Sequence, residues 1–176
     1  MSDFINSIQR LDQIAFDHIR RKSDCRKFGF SMLVISRLGD GFVWIAIAIF
    51  LLIYGGSAER LKVFYGFVAA ILCILVCKLL KLLIRRQRPA VPEEFRRVVK
   101  PWDIFSFPSG HSALSFALAL MVAVNYPLYA VPVFLFAALI AFTRVYFGTH
   151  YPLDVVAGSM IGLLFAGIIL FLTSGL

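Results

Sequence analysis

The sequence predicts an all-α protein, a polytopic transmembrane helix bundle with about five spans and an amphipathic helix at its N-terminus. Of the 176 residues, 60% are hydrophobic and the mean hydropathy is +0.85, whereas soluble domains are nearer to half apolar. Apolar runs of membrane-spanning length recur along the chain, and short polar stretches separate them. The length fits a single membrane-embedded domain over residues 1–176.

The first 27 residues are predicted to form an interfacial amphipathic helix, and residues 28–176 the transmembrane bundle. Apolar side chains recur at helical spacing from Phe4 to Ile19, while charged and amide side chains occupy the opposite face. Such a helix lies in the plane of the membrane surface. His18 is alone on it, so we interpret this histidine as interfacial or solvated.

The bundle begins with an apolar run that Gly39-Asp40-Gly41 interrupts. Charged residues deep in a membrane are costly and need partners. We therefore interpret residues 28–38 as a shallow interfacial helix, followed by a break and a short span, and not as one long span. The predicted spans are residues 42–55, 61–84, 108–126, 128–146 and 151–172.

The net charge of +8 is concentrated in two clusters of Lys and Arg, within residues 20–27 and 85–100, beside apolar runs. This arrangement favours anionic membrane lipids as partners. Because no groove-reading motif is present, nucleic acid is not an expected partner. Nothing in the sequence indicates an oligomeric state. The three cysteines have no metal-type partner set, and Cys73 and Cys77 are expected to be buried thiols.

Three polar blocks stand at the ends of apolar runs. They are Lys81 to Arg88-Pro89, Pro108-Ser109-Gly110-His111, and Arg144 through His150 to Asp154. Together they contain several cations, two of the chain's three histidines and one acid. That inventory suits a site that binds a phosphate group and attacks it.

The second block is predicted to open a helix, with Pro108 as its first helical residue. The free N–H groups and the dipole of such a helix end bind anions. Gly110 would allow an oxyanion to approach the backbone, and the Ser109 hydroxyl could add a donor. The alternative is an ordinary capped helix start with an interfacial His111.

In the third block, Asp154 follows His150 by about one helical turn. Its carboxylate could accept the Nδ1–H of His150 and leave Nε2 free as a nucleophile. Arg144 lies across a short turn and could bind two phosphate oxygens through its guanidinium. A His-x-x-x-Asp pair is weak support when taken alone.

Acidic residues are scarce in the three blocks. A two-metal phosphatase needs several carboxylates or histidines around its ions, but Asp154 is the only acid in the blocks and His111 and His150 are their only histidines. Glu93, Glu94 and Asp103 lie in the loop that follows the first block. We therefore expect no metal and no cofactor, and we expect Lys and Arg to balance the charge of the transition state.

In order and separation, the three blocks resemble the signature of the type 2 phosphatidic acid phosphatase superfamily. These integral membrane lipid phosphatases share a helical core with acid phosphatases and vanadium haloperoxidases. Two departures are visible. Thr143 stands where the family usually has Ser before the Arg, which keeps a hydroxyl. Many bacterial members have six spans, whereas five are predicted here.

The resemblance implies a role for each residue. His150 would attack phosphorus and form a phosphohistidine, and Asp154 would orient it. His111 would protonate the leaving group and then activate water. The residues that would hold the phosphoryl oxygens are Lys81, Arg88, Ser109, Gly110 and Arg144. Three cations outside the signature are further candidates for headgroup contacts: Lys78, Arg85 and Arg86.

The expected function is therefore that of an enzyme, a phosphatase acting on a lipid phosphate or diphosphate. A lipid phosphotransferase using the same phosphohistidine is an alternative, as is a non-catalytic membrane scaffold or transporter. A vanadate-dependent oxidase needs a similar anion site, but such enzymes are soluble. The substrate remains open among phosphatidylglycerol phosphate, polyprenyl diphosphate, phosphatidate and lipid A phosphates.

The sequence gives conflicting indications of the side of the membrane on which the three blocks lie. The positive-inside rule favours the cytoplasm, because most Lys and Arg flank the ends that carry the blocks. Several of those cations are expected to bind phosphate, however, so they are biased indicators of topology. The resemblance points to a bacterial cytoplasmic (inner) membrane with an extracytoplasmic site, and this is our expectation.

Overall fold

The computed structural model describes residues 2–22, 29–91, 93, 95–96 and 103–174, and this part of the chain is helical with irregular connections. A π-helical turn, Leu38–Phe42, joins the second helix to the third, and a 3₁₀ turn, Pro127–Tyr129, precedes the sixth. The all-α prediction is confirmed. The helices are α1 Ser2–Lys22, α2 Gly29–Arg37, α3 Val43–Tyr54, α4 Ser57–Ile84, α5 Gly110–Asn125, α6 Ala130–Tyr146 and α7 Pro152–Thr173.

Several helical segments are suited to crossing a membrane. Among the described residues, four are long and apolar enough by length and composition, and α5 is a shorter apolar helix. The four are Gly29–Tyr54, Ser57–Ile84, Pro127–Tyr146 and Pro152–Thr173. These four and α5 correspond in position to the five predicted spans.

The first spanning segment has a kink where the sequence predicted a break. Gly41 has φ 118° and ψ −18°, a conformation that side chains with a Cβ rarely adopt. The backbone is non-helical at Gly41, and two helices meet there at a kink, so the position of the predicted break is confirmed. The shallow placement of residues 28–38 stays a prediction. The 26 residues of Gly29–Tyr54 together form one kinked, apolar helical segment.

Helix α5 is the centre of the bundle and packs against α4, α6 and α7. Small side chains on α5 and α7 allow the two helices to approach each other closely, as is common between membrane helices. Ala113 and Ala117 of α5 are fully buried. Gly158 and Gly162 of α7 face the carbonyl oxygens of Ser109 and Ala113 so closely that a Cβ at either glycine would overlap them.

The outer surface of the bundle is apolar. Large side chains on three of the spanning helices are exposed, and they include Phe67, Leu75, Leu135 and Phe171. In a soluble protein such a surface would destabilise the folded chain in water, but lipid tails solvate it. Large apolar residues therefore face outward and small ones inward.

Helix α1 is amphipathic, as predicted, but it also packs against the bundle. Leu11 and Ile14 are exposed, whereas Asp12 and Phe16 are buried. The sequence pattern did not predict a buried acid on this helix. His18 is exposed, which agrees with our interpretation of it.

The loop between α4 and α5 is described in part, and Glu94 lies outside the described residues, as does Cys25 before α2. Cys73 and Cys77 are buried free thiols in α4, as predicted. Pro108 is not the first helical residue: α5 begins at Gly110, with Ser109 as its N-cap. The Ser109 hydroxyl caps the helix by accepting from the N–H of Ser112.

Candidate active site

The three polar blocks meet at one end of the bundle, where the last turns of α4 and α6 adjoin the first turns of α5 and α7. The backbone N–H of Ser109 donates to the carbonyl oxygen of Asp154 at 2.8 Å, and the N–H of Ser106 donates to the carbonyl of Arg86 at 2.9 Å. These bonds tie the second block to the third and the first block to the loop before α5. The predicted convergence of the blocks is confirmed.

Lys81 lies on the last turn of α4, and only 5% of its side chain is exposed. Its Nζ donates to the carbonyl oxygens of Phe105 at 3.0 Å and Ser106 at 3.4 Å. The Asp103 carboxylate lies 3.5 Å away. A cation buried in this way needs anionic or carbonyl partners, and a phosphate group would be a further one.

Arg88 follows α4 and extends toward the third block. Its Nε donates to the carbonyl of Asp103 at 2.8 Å, and its Nη1 donates to the carbonyl of Thr149 at 2.6 Å. The same Nη1 lies 3.2 Å from Nε2 of His150. Burial lowers the pKa of the Arg88 guanidinium from its ordinary value, while the Asp103 and Asp154 charges oppose that shift.

His150 is held in the short turn between α6 and α7. Its N–H and that of Thr149 both donate to the carbonyl of Arg144, at 3.2 and 3.0 Å. Its Nδ1 lies 3.6 Å from Oδ2 of Asp154, slightly beyond hydrogen-bond distance, and has no hydrogen-bond partner among the described residues. The imidazole therefore presents Nδ1 to a carboxylate and Nε2 to Arg88.

The protonation state of His150 follows from its surroundings. Burial lowers its pKa to about 3, and the Arg88 and Lys81 charges contribute, whereas the Asp154 carboxylate acts in the opposite direction. At neutral pH the imidazole is therefore uncharged and retains a lone pair. A neutral imidazole beside a guanidinium is poised to attack an electrophile that the guanidinium attracts.

The start of α5 provides an anion site. The first N–H groups of a helix have no intrahelical partners, and the dipole favours negative charge there. At Gly110, no other group lies within 4 Å of where a Cβ would be, so an oxyanion has room to approach. Ser109 is fully buried, and its Oγ accepts from the hydroxyl of Ser112 at 2.9 Å. The N–H of Ser109 is used by Asp154.

His111 contacts a carboxylate that the sequence analysis did not select. Its Nε2 lies 3.1 Å from Oδ1 of Asp40, in the π-helical turn before α3. Nη2 of Arg144 lies 3.4 Å from the same oxygen and donates to the carbonyl of Ser36 at 3.0 Å. Arg144 Nε is buried and has no hydrogen-bond partner among the described residues. An acid between two glycines inside an apolar run was the available signal for Asp40.

Of the three further candidates for headgroup contacts, Arg86 was interpreted wrongly. Its guanidinium points inward, with Nη1 2.7 Å from Oδ1 of Asp154 and Nη2 2.6 Å from Oδ2 of Asp12. Lys78 and Arg85 are exposed. Arg85 is the C-cap of α4, and its Nε donates to the carbonyl of Leu82.

An apolar cavity of about 360 Å³ begins at the carboxylate beside His111 and runs between α3, α4 and α5. Asp40 lines one end, and Trp44, Ile74 and Leu118 contribute to its walls. Lys62 lines it near the first turn of α4, where its Nζ lies 5.0 Å from the centroid of the Tyr126 ring. The cavity thus extends from the polar site along apolar side chains of α3, α4 and α5, of which Ile45 and Phe67 are also exposed on the outer surface.

Comparison with known proteins agrees with this geometry. The family model described as the PAP2 superfamily matches residues 62–174, which include all three blocks. The chain belongs to the PAP2 superfamily. The crystal structure of Aquifex aeolicus LpxE superposes on it with a TM-score of 0.78, at 31% identity, over 92% of this chain and 95% of that one. A PAP2-type phosphatidylglycerolphosphate phosphatase from Bacillus subtilis with the same fold is described as transmembrane. With its own apolar helices, this chain is an integral membrane protein.

Curated relatives in the PAP2 superfamily carry phosphatase names. Undecaprenyl-diphosphatase of Sulfolobus acidocaldarius is 31% identical over 135 residues, covering 74% of this chain and 64% of that protein. Lipid A 4′-phosphatase of Bacteroides thetaiotaomicron is 43% identical over 60 residues, covering 33% of this chain and 27% of that protein. The matched part thus spans less than two thirds of either relative.

Proposed function

We propose that the protein is a metal-independent phosphatase that hydrolyses a lipid phosphate or lipid diphosphate through a phosphohistidine. The observation that carries this proposal is the environment of His150, a buried and uncharged imidazole with Nε2 beside Arg88 and Nδ1 beside Asp154. The names of the curated relatives agree with this reaction class.

In the first step, the Nε2 lone pair attacks phosphorus, so that a P–N bond forms while the bond from phosphorus to the leaving oxygen breaks. Asp154 stabilises the positive charge that the ring gains and keeps the Nδ1 proton in place. Arg88 and Lys81 neutralise the phosphoryl oxygens. The N–H groups at the start of α5 are further donors to those oxygens.

His111 supplies the proton that the leaving oxygen needs. It then takes a proton from water, which attacks phosphorus, breaks the P–N bond and restores His150. Asp40 accepts a hydrogen bond from His111 and pairs with Arg144, so it orients the acid. The unpartnered Nε of Arg144 is a donor available to a phosphoryl oxygen.

The apolar cavity supports a lipid as the group that carries the phosphate. A hydrocarbon chain placed between α3, α4 and α5 would lie among Trp44, Ile74 and Leu118, while its headgroup would reach the end at Asp40. Burial of apolar area contributes about 25 cal/mol per Å². Long-chain substrates are therefore expected to bind more tightly than short-chain analogues with the same headgroup.

A phosphate-release assay in detergent micelles tests the proposal. Polyprenyl diphosphate, phosphatidate, phosphatidylglycerol phosphate and lipid A phosphate are compared, each with a short-chain analogue and without an added acceptor. We expect inorganic phosphate from at least one long-chain lipid with wild-type protein and none with His150→Ala. Loss of phosphate from the lipid only when an acceptor alcohol is added, with the phosphate recovered on that alcohol, would indicate a transferase instead. Wild-type protein inactive on every lipid would contradict the proposal.

We also propose that the protein resides in the bacterial cytoplasmic (inner) membrane with this site on the extracytoplasmic side. In support, Lys81 and Arg144 are buried and Arg88 is half-buried among site residues, so these three cations are biased indicators of a cytoplasmic location. Glu93 is exposed near the site, and Ser57 is exposed at the far end of α4.

Thiol labelling of intact cells tests this orientation. In a Cys25→Ser background, Glu93→Cys and Ser57→Cys are each treated with a membrane-impermeant maleimide. We expect Glu93→Cys to be labelled in intact cells and Ser57→Cys only after lysis. The reverse pattern would place the site in the cytoplasm.

A further inference from the structure

Helix α1 places one buried carboxylate against the candidate active site. In the part of this helix whose side chains are described, residues 9–20, most are exposed, but Asp12 is 3% exposed and Phe16 is also buried. A buried carboxylate destabilises a protein unless it is paired and hydrogen-bonded. Asp12 meets both conditions, because Oδ2 pairs with Arg86 at 2.6 Å and Oδ1 accepts from the N–H of Leu153 at 3.0 Å.

Arg86 connects this carboxylate to the residue that orients the nucleophile. One guanidinium nitrogen bonds Asp12 and the other bonds Asp154, at 2.6 and 2.7 Å. The second oxygen of Asp154 accepts from the N–H of Tyr151 at 2.8 Å and faces His150. Charges of alternating sign therefore run from α1 to the imidazole.

The same surface of α1 contacts residues that lie between His150 and Asp154 in the chain. The rings of Phe16 and Tyr151 meet edge to face, with centroids 5.4 Å apart. The Arg86 guanidinium lies 4.2 Å from the centroid of the Tyr151 ring. With the bond from Leu153 to Asp12, α1 thus holds the first turn of α7, which carries Asp154.

We propose that Asp12 is a positioning residue of the active site that acts through Arg86 and the first turn of α7 on Asp154. This inference rests on the proposed phosphohistidine reaction. When phosphate bonds to His150, the ring gains positive charge, which Asp154 stabilises. Arg86 alone would neutralise Asp154 and weaken that effect, and the charge of Asp12 offsets Arg86. The amphipathic helix is then part of the catalytic apparatus as well as a membrane-surface element.

A matched pair of substitutions on α1 tests this role. Asp12→Asn removes the buried charge, and Asp17→Asn makes the same chemical change at an exposed position whose carboxylate contacts Gln13 of the same helix. We expect Asp12→Asn to lower kcat by roughly ten- to a hundredfold with KM nearly unchanged, because a displaced Asp154 acts on the reacting step. Asp17→Asn should stay within about twofold of wild type, as exposed substitutions usually do.

A double-mutant cycle separates this role from simple destabilisation. If Asp12 acts through Arg86, then adding Asp12→Asn to an Arg86→Gln protein should lower kcat little further. Two independent losses that multiply would overturn the proposal. Asp12→Ser, which removes the charge with a smaller side chain, is measured in parallel as a second charge-removing variant.

All variants are assayed with the lipid on which wild-type protein is most active, after their thermal unfolding has been compared. Wild-type kcat in either folded variant of Asp12 would overturn the proposal while leaving the phosphatase function standing. Wild-type protein without activity on any lipid, and unable to form a phosphohistidine, would instead refute the proposed function on which the inference rests.

Discussion

Two histidine–carboxylate pairs lie in this site, and they differ in origin and environment. His150 and Asp154 are four residues apart and nearly fully buried, with side chains 5% and 0% exposed. His111 and Asp40 are 71 residues apart, and their side chains are 29% and 17% exposed. The proposed nucleophile is enclosed and uncharged, whereas the proposed acid and base has access to water and to a leaving group. The two environments match the two proposed roles.

The largest contrast is expected between alanine substitutions of the two histidines. His150→Ala should abolish phosphate release from every substrate, because it removes the imidazole beside Arg88 that we propose attacks phosphorus. His111→Ala should lower turnover by about 10²–10⁴-fold, and less for a diphosphate, whose leaving group needs less protonation. The measurement is kcat for a monoester and a diphosphate. If the two variants lost kcat equally on the monoester and on the diphosphate, the proposed difference in role between His150 and His111 would be contradicted.

Substitution at the second carboxylate should have an intermediate effect. Asp40→Asn leaves His111 and Arg144 without their shared anion, and loss of a charged hydrogen bond of about 1.5–3 kcal/mol corresponds to about ten- to a hundredfold in rate. The decrease in kcat should again be larger for a monoester than for a diphosphate. Unchanged kcat on both would show that Asp40 has only a structural role.

The buried environment of His150 predicts a pH effect on stability. Its pKa is lowered to about 3 in the folded protein, against about 6.5 in an unfolded chain. The resulting stabilisation is complete above pH 6.5 and is lost as the pH falls from there toward 3. The Tm of wild-type protein in detergent should therefore decline more from pH 7 to pH 4 than that of His150→Gln. His18→Gln is the exposed control and should follow wild type. Parallel declines in wild type and His150→Gln would contradict the buried, neutral state.

The smallest effect is expected from a chelator. Lys81, Arg88 and Arg144 are available to balance the phosphoryl charge, so EDTA should leave turnover unchanged. Vanadate, in contrast, should inhibit, because it adopts the five-coordinate geometry that phosphorus passes through at His150. Activity that is lost with EDTA and restored by Mg²⁺ would contradict the metal-independent reaction.

The sequence was most informative where the relevant signal was local. The apolar runs predicted the bundle, and the Arg144, His150 and Asp154 spacing predicted a pair on adjoining turns. Asp40 could not be assigned to His111, because nothing in either segment specifies which distant helix it meets. The sequence predicted a break at Gly41. The contact of Asp40 with His111 at the start of α5 depends on how the helices pack, which the sequence does not show.

Cations near the membrane surface were the hardest residues to interpret. Arg86 and Arg85 are neighbours with similar sequence surroundings, yet one pairs with Asp12 and Asp154 while the other is exposed. Helix α4 ends at Ile84, and Arg85, its C-cap, has a left-handed φ of 53°. The chain changes direction at this residue, so the two side chains point in different directions. Burial of Asp12 depends on the docking of α1, and the helical pattern alone predicts only which face is apolar.

The most direct test of the account is to trap the covalent intermediate. In His111→Ala supplied with a labelled diphosphate lipid, attack should proceed while the second step slows, so that phosphate accumulates on the protein. After an alkaline quench and proteolysis, we expect an acid-labile, alkali-stable phosphate on the peptide that contains His150. The His150→Ala/His111→Ala double variant should carry none. Phosphate on any other residue, or its persistence in the double variant, would contradict the assignment of His150 as the nucleophile.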